Sequence, residues 1–199
     1  MTQSTVPAAA PVAVYWDFEN LHARLVEDRQ GDGAYNTPDG RFKAQEPLVQ
    51  VQKLVDFAAT LGPLAINRAY CNWQYFGRYR EALLGAAIDL VQLFPPGASA
   101  KNGADIRLCL DAQDDSARFA NIAQFVIIGG DSDFMPLTHK LKATGRRVVG
   151  IGARKSTNRY WAGCCDAFYY YEDVVAVGAS SPSTHASITA TSFTALSAS

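Results

Sequence analysis

Short apolar runs alternate along the chain with longer segments in which apolar residues recur every three or four positions. The runs predict β-strands at residues 12–16, 64–70, 89–94, 125–130 and 147–152. The longer segments predict helices at residues 21–29, 48–61, 75–87, 104–116, 134–144 and 156–164. Several strands are continuously apolar, which is typical of a parallel sheet covered on both faces by crossover helices. The pattern therefore predicts an α/β fold, a three-layer α/β/α sandwich with a mostly parallel central sheet.

The composition changes at both ends of the chain. Residues 1–11 are mostly Ala, Pro, Ser and Thr, and residues 176–199 contain no Asp, Glu, Lys or Arg. Such segments bury too little apolar surface to offset the entropy of ordering. We expect a flexible segment at 1–11, one domain at 12–175 and a disordered Ser/Thr/Ala-rich tail at 176–199. A long polar loop at residues 31–46 is a candidate lid or substrate-contacting loop.

The overall composition excludes several classes of protein. With 199 residues, 48% of them hydrophobic, the chain can bury one sizeable core and is not disordered throughout. No apolar run approaches the roughly 18 to 20 residues of a membrane-spanning helix, and the start lacks the pattern of a signal peptide. The four Cys form no CxxC pair, and the three His have no zinc-site spacing. We therefore expect a cytoplasmic protein with reduced thiols and no membrane partner.

Acidic residues directly follow two of the predicted strands. Asp17 ends the first strand, and Asp131 and Asp133 follow the fourth. In open parallel sheets, ligands bind beyond the carboxyl ends of the strands, where the strand order reverses. With the strand order 3-2-1-4-5, Asp17 and Asp131 would face each other there. Asp105, in the first turn of the preceding helix, could lean over the same crevice.

A cluster of carboxylates at one edge of the sheet would be stabilised by a bound cation. Two carboxylates about 4 Å apart repel by about 4 kcal/mol at an effective dielectric near 20. Hard oxygen ligands without thiolate or imidazole suit Mg²⁺ or Mn²⁺, and a site of this kind can hydrolyse phosphodiesters. Asp17, Asp105, Asp131 and Asp133 are the candidate ligands and catalytic acids, and Asn20 could orient Asp17 or a water.

Each of these residues also has a purely structural interpretation. Asp17 and Asp133 could cap the helices that follow them, and Asp105 is ordinary in a first helical turn. The remaining acidic residues near these motifs are Glu19, Asp111, Asp114 and Asp115. We interpret them first as solvated helix charges, and Asp111 is the first candidate for another role.

The formal net charge of −1 argues by itself against a nucleic-acid partner, but the charge is unevenly distributed. Residues 140–160 carry seven cations and no acid, and residues 68–80 mix Arg with aromatic side chains. Positive charge beside aromatic faces is what single-stranded nucleic acid requires. The candidate RNA-binding residues are Arg154, Lys155, Arg159 and Arg78, although a solvated helix face and core aromatics would give the same pattern.

The acidic motifs together resemble a known family. They are D-x-x-N at residues 17–20, an Asp-led helix with a second Asp at residues 105–111, and G-D-S-D-F-x-P-L at residues 130–137. This combination is similar to the NYN domain of the LabA-like group, within the PIN-like superfamily of metal-dependent nucleases. The resemblance covers nearly all of residues 12–175. It departs where the family often has Ser, at Gly129, and a Lys three residues before the helix Asp, where Asn102 stands and Lys101 precedes it.

The resemblance implies a PIN-like fold and RNA cleavage or binding with Mg²⁺ or Mn²⁺. Carried over by position, Asp17, Asp105, Asp131 and Asp133 form the acidic set with Asn20 beside them, and Lys101 is a further candidate for RNA contact. The leading hypothesis is a metal-dependent endoribonuclease. The alternatives are a non-catalytic RNA-binding or regulatory protein on the same fold and a small-molecule phosphatase. A second copy of the chain is a further candidate partner, in a homo-oligomer.

Overall fold

A six-stranded parallel sheet forms the centre of the molecule. The computed structural model describes residues 9–94 and 103–177. The strands are β1 (Val12–Asp17), β2 (Leu64–Cys71), β3 (Asp89–Gln92), β4 (Gln124–Ile128), β5 (Arg147–Gly152) and β6 (Ala167–Tyr170). Their order in the sheet is β3-β2-β1-β4-β5-β6, and every pairing is parallel. The expected adjacency of the first and fourth strands is confirmed, so both strands end at the same edge of the sheet.

Helices cover both faces of this sheet. They are α1 (Phe18–Gln30), α2 (Pro38–Arg41), α3 (Val51–Leu61), α4 (Arg80–Gly85), α5 (Gly103–Arg118), α6 (Met135–Ala143), α7 (Arg159–Cys164) and α8 (Tyr171–Val177). Helices α1, α3, α4 and α8 contribute to the core on one face, and α5, α6 and α7 to the core on the other. The α/β sandwich predicted from the apolar pattern is thus confirmed.

Strand β1 is buried at every position and supplies both cores. Val14 and Trp16 pack with the helices of one face, and Ala13 and Tyr15 with those of the other, because successive side chains of a strand alternate. A strand buried on both sides is held rigidly, and the residue that ends it is placed as firmly as the sheet itself.

Three parts of the chain differ from the sequence prediction. Residues 75–87 form two short 3-10 turns and the brief α4 rather than one helix. A sixth strand, β6, forms the edge of the sheet next to β5, and α8 follows it to Val177. The polar loop at residues 31–46 contains α2, whose N-cap is Thr37. The predicted tails lie almost wholly outside the described residues.

A buried polar network fastens α5 to the sheet. Tyr15 donates a hydrogen bond to Asp115 at 2.9 Å, and Arg68 donates to the same carboxylate oxygen at 3.0 Å. Tyr70 donates to Asp111 at 2.8 Å, and Arg107 also donates to Asp111. The interpretation of Asp115 as a solvated charge is wrong, since this residue is buried, and Asp111 holds two protein donors instead of facing the candidate site.

Within the described residues, no helix combines the length and apolar character needed to cross a membrane.

Candidate functional site

A cleft of about 390 Å³ opens at the carboxyl edge of the sheet. It lies between α1, the polar loop at residues 31–46 and the first turn of α5. Three of the four predicted acids and the predicted amide line it, namely Asp17, Asp105, Asp131 and Asn20. The strand order brings these residues together, although they are distant in the sequence.

Asp17 caps a helix and is also a candidate ligand for a cation. It ends β1 and caps α1, where its Oδ1 accepts a hydrogen bond from the backbone N–H of Asn20 at 3.4 Å. The residue is only 2% exposed, and its Oδ2 has no hydrogen-bond donor among the described residues. The Oδ1 of Asn20 is likewise buried without a donor there. Burying an acceptor without a hydrogen-bond donor is costly. These two oxygen atoms are therefore candidates to bind a cation or a donor from outside the protein.

The acids strongly disfavour one another's charged forms. Burial raises the pKa of Asp17 well above its usual range, and the negative charge of Asp105 raises it further. Burial also raises the pKa of Asp105, with added contributions from the charges of Asp131 and Asp133. A bound cation would relieve this repulsion.

Asp131 and Asp133 lie at the start of the turn that leads into α6. Oδ1 of Asp131 accepts from the backbone N–H of Asp133 and from the Ser132 hydroxyl, both at 3.3 Å. Asp133 does not belong to the lining of the cleft but is near enough to affect Asp105. A Cβ atom at Gly129 would lie 2.8 Å from the Phe134 ring, so a Ser at this position would require the ring to shift.

The carboxylate oxygens of the cleft suit a hard divalent cation, but they do not surround it on all sides. Within the described ranges, no three His, Cys, Asp or Glu side chains converge closely enough to enclose an ion. Mg²⁺ typically binds through one or two carboxylates and completes its shell with waters and substrate phosphates. The unpartnered Oδ2 of Asp17 and the adjacent Asp105 match that requirement.

The opposite wall of the cleft carries Glu19, which the sequence indicated first as a solvated charge, and four residues that the sequence did not single out. Glu19 accepts hydrogen bonds from Arg41 Nε at 2.9 Å and from the Tyr35 hydroxyl at 3.1 Å. Arg24 binds Glu27 at 3.1 Å on the next turn of α1. All five residues line the cleft. The spacing of Asn20, Arg24 and Glu27 along α1 could have indicated that they share one face of the helix. No pattern in the neighbouring sequence indicated that Arg41 would also reach the cleft.

The four predicted RNA-binding residues that the structure describes do not line this cleft. Arg154 stacks on Tyr170 at 4.2 Å, Arg159 stacks on Tyr160 at 4.7 Å, and Arg78 pairs with Glu46. Lys101 lies outside the described residues.

Of the four described candidates, only Lys155 lines a neighbouring cleft. It lies 3.6 Å from Asp28 and lines a second cleft, which shares Arg24 and Glu27 with the first. Other cations of the basic stretch are engaged by the protein. For example, Lys142 pairs with Asp166 at 3.0 Å.

The parallel sheet, its helical layers and the acids at its carboxyl edge define an α/β domain with a nuclease-like fold. A family model for the NYN domain matches residues 11–172, so the chain belongs to the NYN domain family. The chain is also similar to a crystal structure of a protein of unknown function from Vibrio parahaemolyticus RIMD 2210633. That likeness has a TM-score of 0.61 and 16% sequence identity, and it covers 85% of this chain and 97% of the other. A comparison with curated proteins gives no match.

Proposed function

We propose that this protein is a metal-dependent endoribonuclease that hydrolyses RNA phosphodiester bonds with Mg²⁺ or Mn²⁺. The observation that carries the proposal is the buried, unpartnered Oδ2 of Asp17 in a cleft that also holds Asp105 and Asp131. Membership of a family with a nuclease-like fold supports the same reaction class. The order of the acidic motifs supports placement within the LabA-like group.

Asp17 and Asp105 would hold the ion, and Asp131 would contribute to its binding. When bound, the ion would lower the pKa of a water and offset the charge that develops on the phosphate. Asp133 would increase the negative potential around Asp105 or position a water. Asn20, fixed by the first turn of α1, would offer its Oδ1 to a water or to a substrate hydroxyl.

Single-stranded RNA is the proposed substrate. Phe94 lines the cleft and is 79% exposed, so an unpaired base could stack on its ring. Lys155 in the adjoining cleft could bind a phosphate further along the strand. Arg154, Arg159, Arg78 and Lys101 remain candidates for more distant contacts. The four free thiols fit a reducing, cytoplasmic compartment.

The test is cleavage of an end-labelled single-stranded RNA by the purified chain with Mg²⁺, with Mn²⁺ and with EDTA. We expect internal cleavage with either ion and none with EDTA. Equal cleavage by the wild type and by the Asp17→Asn/Asp131→Asn variant would overturn the proposal, because both carboxylates would then be dispensable.

A non-catalytic RNA-binding role is the second candidate, since no three acids of the described residues form a cage for an ion. Tight, salt-sensitive RNA binding without cleavage under any divalent ion would support it. Turnover of a generic phosphate ester without RNA binding would instead indicate a phosphatase.

A further inference from the structure

We propose that Arg41 binds a phosphate of single-stranded RNA inside the acidic cleft and so holds the strand against the metal-binding carboxylates. This inference rests on the proposed function. It concerns a residue of the polar loop at residues 31–46 that lies outside the basic stretch of the sequence.

The negative charge of the cleft favours a cationic residue at the place where RNA would bind. Among the described residues, five carboxylates and only two cations line the cleft, and the cations are Arg24 and Arg41. A polyanion that enters this space is repelled unless cations meet its phosphates, even when an ion offsets some of the carboxylates. Of the two cations, Arg41 has the less exposed side chain, at 28% against 40% for Arg24.

The guanidinium of Arg41 is held in place but retains free donors. Its Nε donates to Glu19 at 2.9 Å, and Glu19 is also fixed by the Tyr35 hydroxyl. Among the described residues, neither Nη1 nor Nη2 of Arg41 donates a hydrogen bond. These two nitrogens can bind two oxygens of one phosphate without breaking the contact with Glu19, which is the fork geometry that favours arginine at phosphate sites.

A buried chain of hydrogen bonds fixes the loop segment that carries Arg41. The backbone N–H groups of Leu48 and Val49 donate to the Tyr79 hydroxyl at 2.7 and 2.9 Å, so Tyr79 donates its own proton to Nδ1 of His22 at 2.9 Å. His22 then donates from Nε2 to Oε1 of Gln45 at 3.0 Å.

Gln45 completes this chain at the loop. Its Nε2 donates to the backbone carbonyls of Gly40, Arg41 and Lys43 at 2.9, 3.2 and 2.9 Å. The position of Arg41 is therefore set before substrate arrives, and little ordering entropy remains to be lost on binding.

The experiment measures binding of a short fluorescein-labelled single-stranded RNA by anisotropy over a series of salt concentrations. Ca²⁺ replaces Mg²⁺ because it binds the same kind of oxygen ligands, and gels verify that the RNA stays intact. The variants are Arg41→Gln, Arg41→Lys and, as a matched control, Arg118→Gln. Arg118 is an exposed arginine at the far end of α5, so its variant loses the same charge away from the cleft.

We expect Arg41→Gln to weaken binding about tenfold, as the loss of a charge-assisted hydrogen bond predicts. The slope of log affinity against log salt should decrease in magnitude by about 0.7, the value for one phosphate contact on a single strand. Arg41→Lys should recover part of the affinity, and Arg118→Gln should behave as the wild type. An unchanged slope in Arg41→Gln would overturn the proposal.

A double variant separates phosphate binding from simple neutralisation of Glu19. If Arg41 contacts phosphate, Arg41→Gln still weakens binding when Glu19→Gln is already present. If that loss disappears in the Glu19→Gln background, Arg41 only neutralises Glu19 and the proposal is wrong. RNA binding without cleavage would overturn the nuclease function but leave this comparison valid. No RNA binding by the wild type would overturn both.

Discussion

Burial raises the pKa of Asp17 at the end of β1, and the negative charge of Asp105 on the first turn of α5 raises it further. Both carboxyls line one cleft, and Asp17 is buried. In the free protein, the raised pKa values favour a proton on this pair of carboxyls, and a bound cation could take the place of that proton. This arrangement weakens the free protein and would favour binding of a cation, so stability and activity should respond in opposite directions to its removal.

We predict that Asp17→Asn stabilises the metal-free protein. Asparagine can still cap α1, and because it carries no charge and needs no proton, the cost of burying a carboxyl beside Asp105 is removed. The melting temperature should rise by at least about 2–4 °C, the shift that accompanies 1 kcal/mol in a domain of this size. Calorimetry in EDTA measures it, and a lower melting temperature would show that the protein compensates the buried charge in another way. Added Mn²⁺ should stabilise the wild type but not the variant.

The neighbouring acids Asp114 and Asp115 should differ sharply in their effect on stability. Asp115→Ala leaves the Tyr15 hydroxyl and the Arg68 guanidinium without their shared acceptor, and we expect a loss of about 2–4 kcal/mol. Asp114 is exposed on the same helix, and Asp114→Ala should change stability by less than about 0.5 kcal/mol. Urea denaturation compares the two variants. Similar losses would mean that the network does not fasten α5.

His22 should make stability fall in mild acid. Burial lowers its pKa below the usual value of 6.5, so the unfolded chain binds a proton there that the folded chain excludes. The stabilising contribution is therefore complete above about pH 6.5 and is lost as the pH falls toward the folded pKa, with a slope of at most about 1.4 kcal/mol per pH unit. A proton on Nδ1 would also face the Tyr79 oxygen, which already accepts two N–H bonds.

The pH effect is isolated by comparing variants, because the raised pKa values of Asp17 and Asp105 act in the opposite sense. Stability of His22→Gln should fall less steeply than that of the wild type between about pH 7 and about pH 5. His139 is exposed, and His139→Gln should keep the wild-type slope. Parallel curves for all three proteins would refute the role of His22.

Phe94 should contribute to RNA binding through stacking. Replacement by Ala removes the exposed ring from the cleft and should weaken binding of single-stranded RNA by about 1–3 kcal/mol. Phe119, a partly exposed aromatic residue just beyond the far end of α5, supplies the matched control Phe119→Ala. Equal affinities of the two variants in an anisotropy titration would exclude a specific contact at Phe94.

The strands and the acidic edge could be predicted from sequence because the signals are local. Continuous apolar runs identify buried parallel strands, and the strand order then places Asp17 and Asp131 at one edge. The role of Asp115 could not be predicted, since its partners Tyr15 and Arg68 come from strands far from α5 in sequence. A helical pattern identifies apolar faces but does not show which buried position accepts a charge.

The wall opposite the acids escaped prediction for a similar reason. Arg41 reaches the cleft because the Gln45 side chain donates hydrogen bonds to the backbone carbonyls of Gly40 and Arg41 and so fixes the loop. The local sequence does not indicate these hydrogen bonds. The basic stretch was a misleading guide to the cleft itself, because much of its charge is paired or stacked on the protein surface. Arg154, for instance, contacts Asp173 and Tyr170.

The most direct test of the central claim is the single-turnover rate of single-stranded RNA cleavage with Mn²⁺ by the wild type, Asp17→Asn and the control Asp114→Asn. Loss of an outer partner of a metal site typically costs 10- to 100-fold, so loss of a ligand should cost at least about a hundredfold. We predict that the wild type and Asp114→Asn cleave at the same rate and that folded Asp17→Asn is slower by this factor. Cleavage by Asp17→Asn at the wild-type rate, or cleavage that EDTA does not stop, would contradict the account.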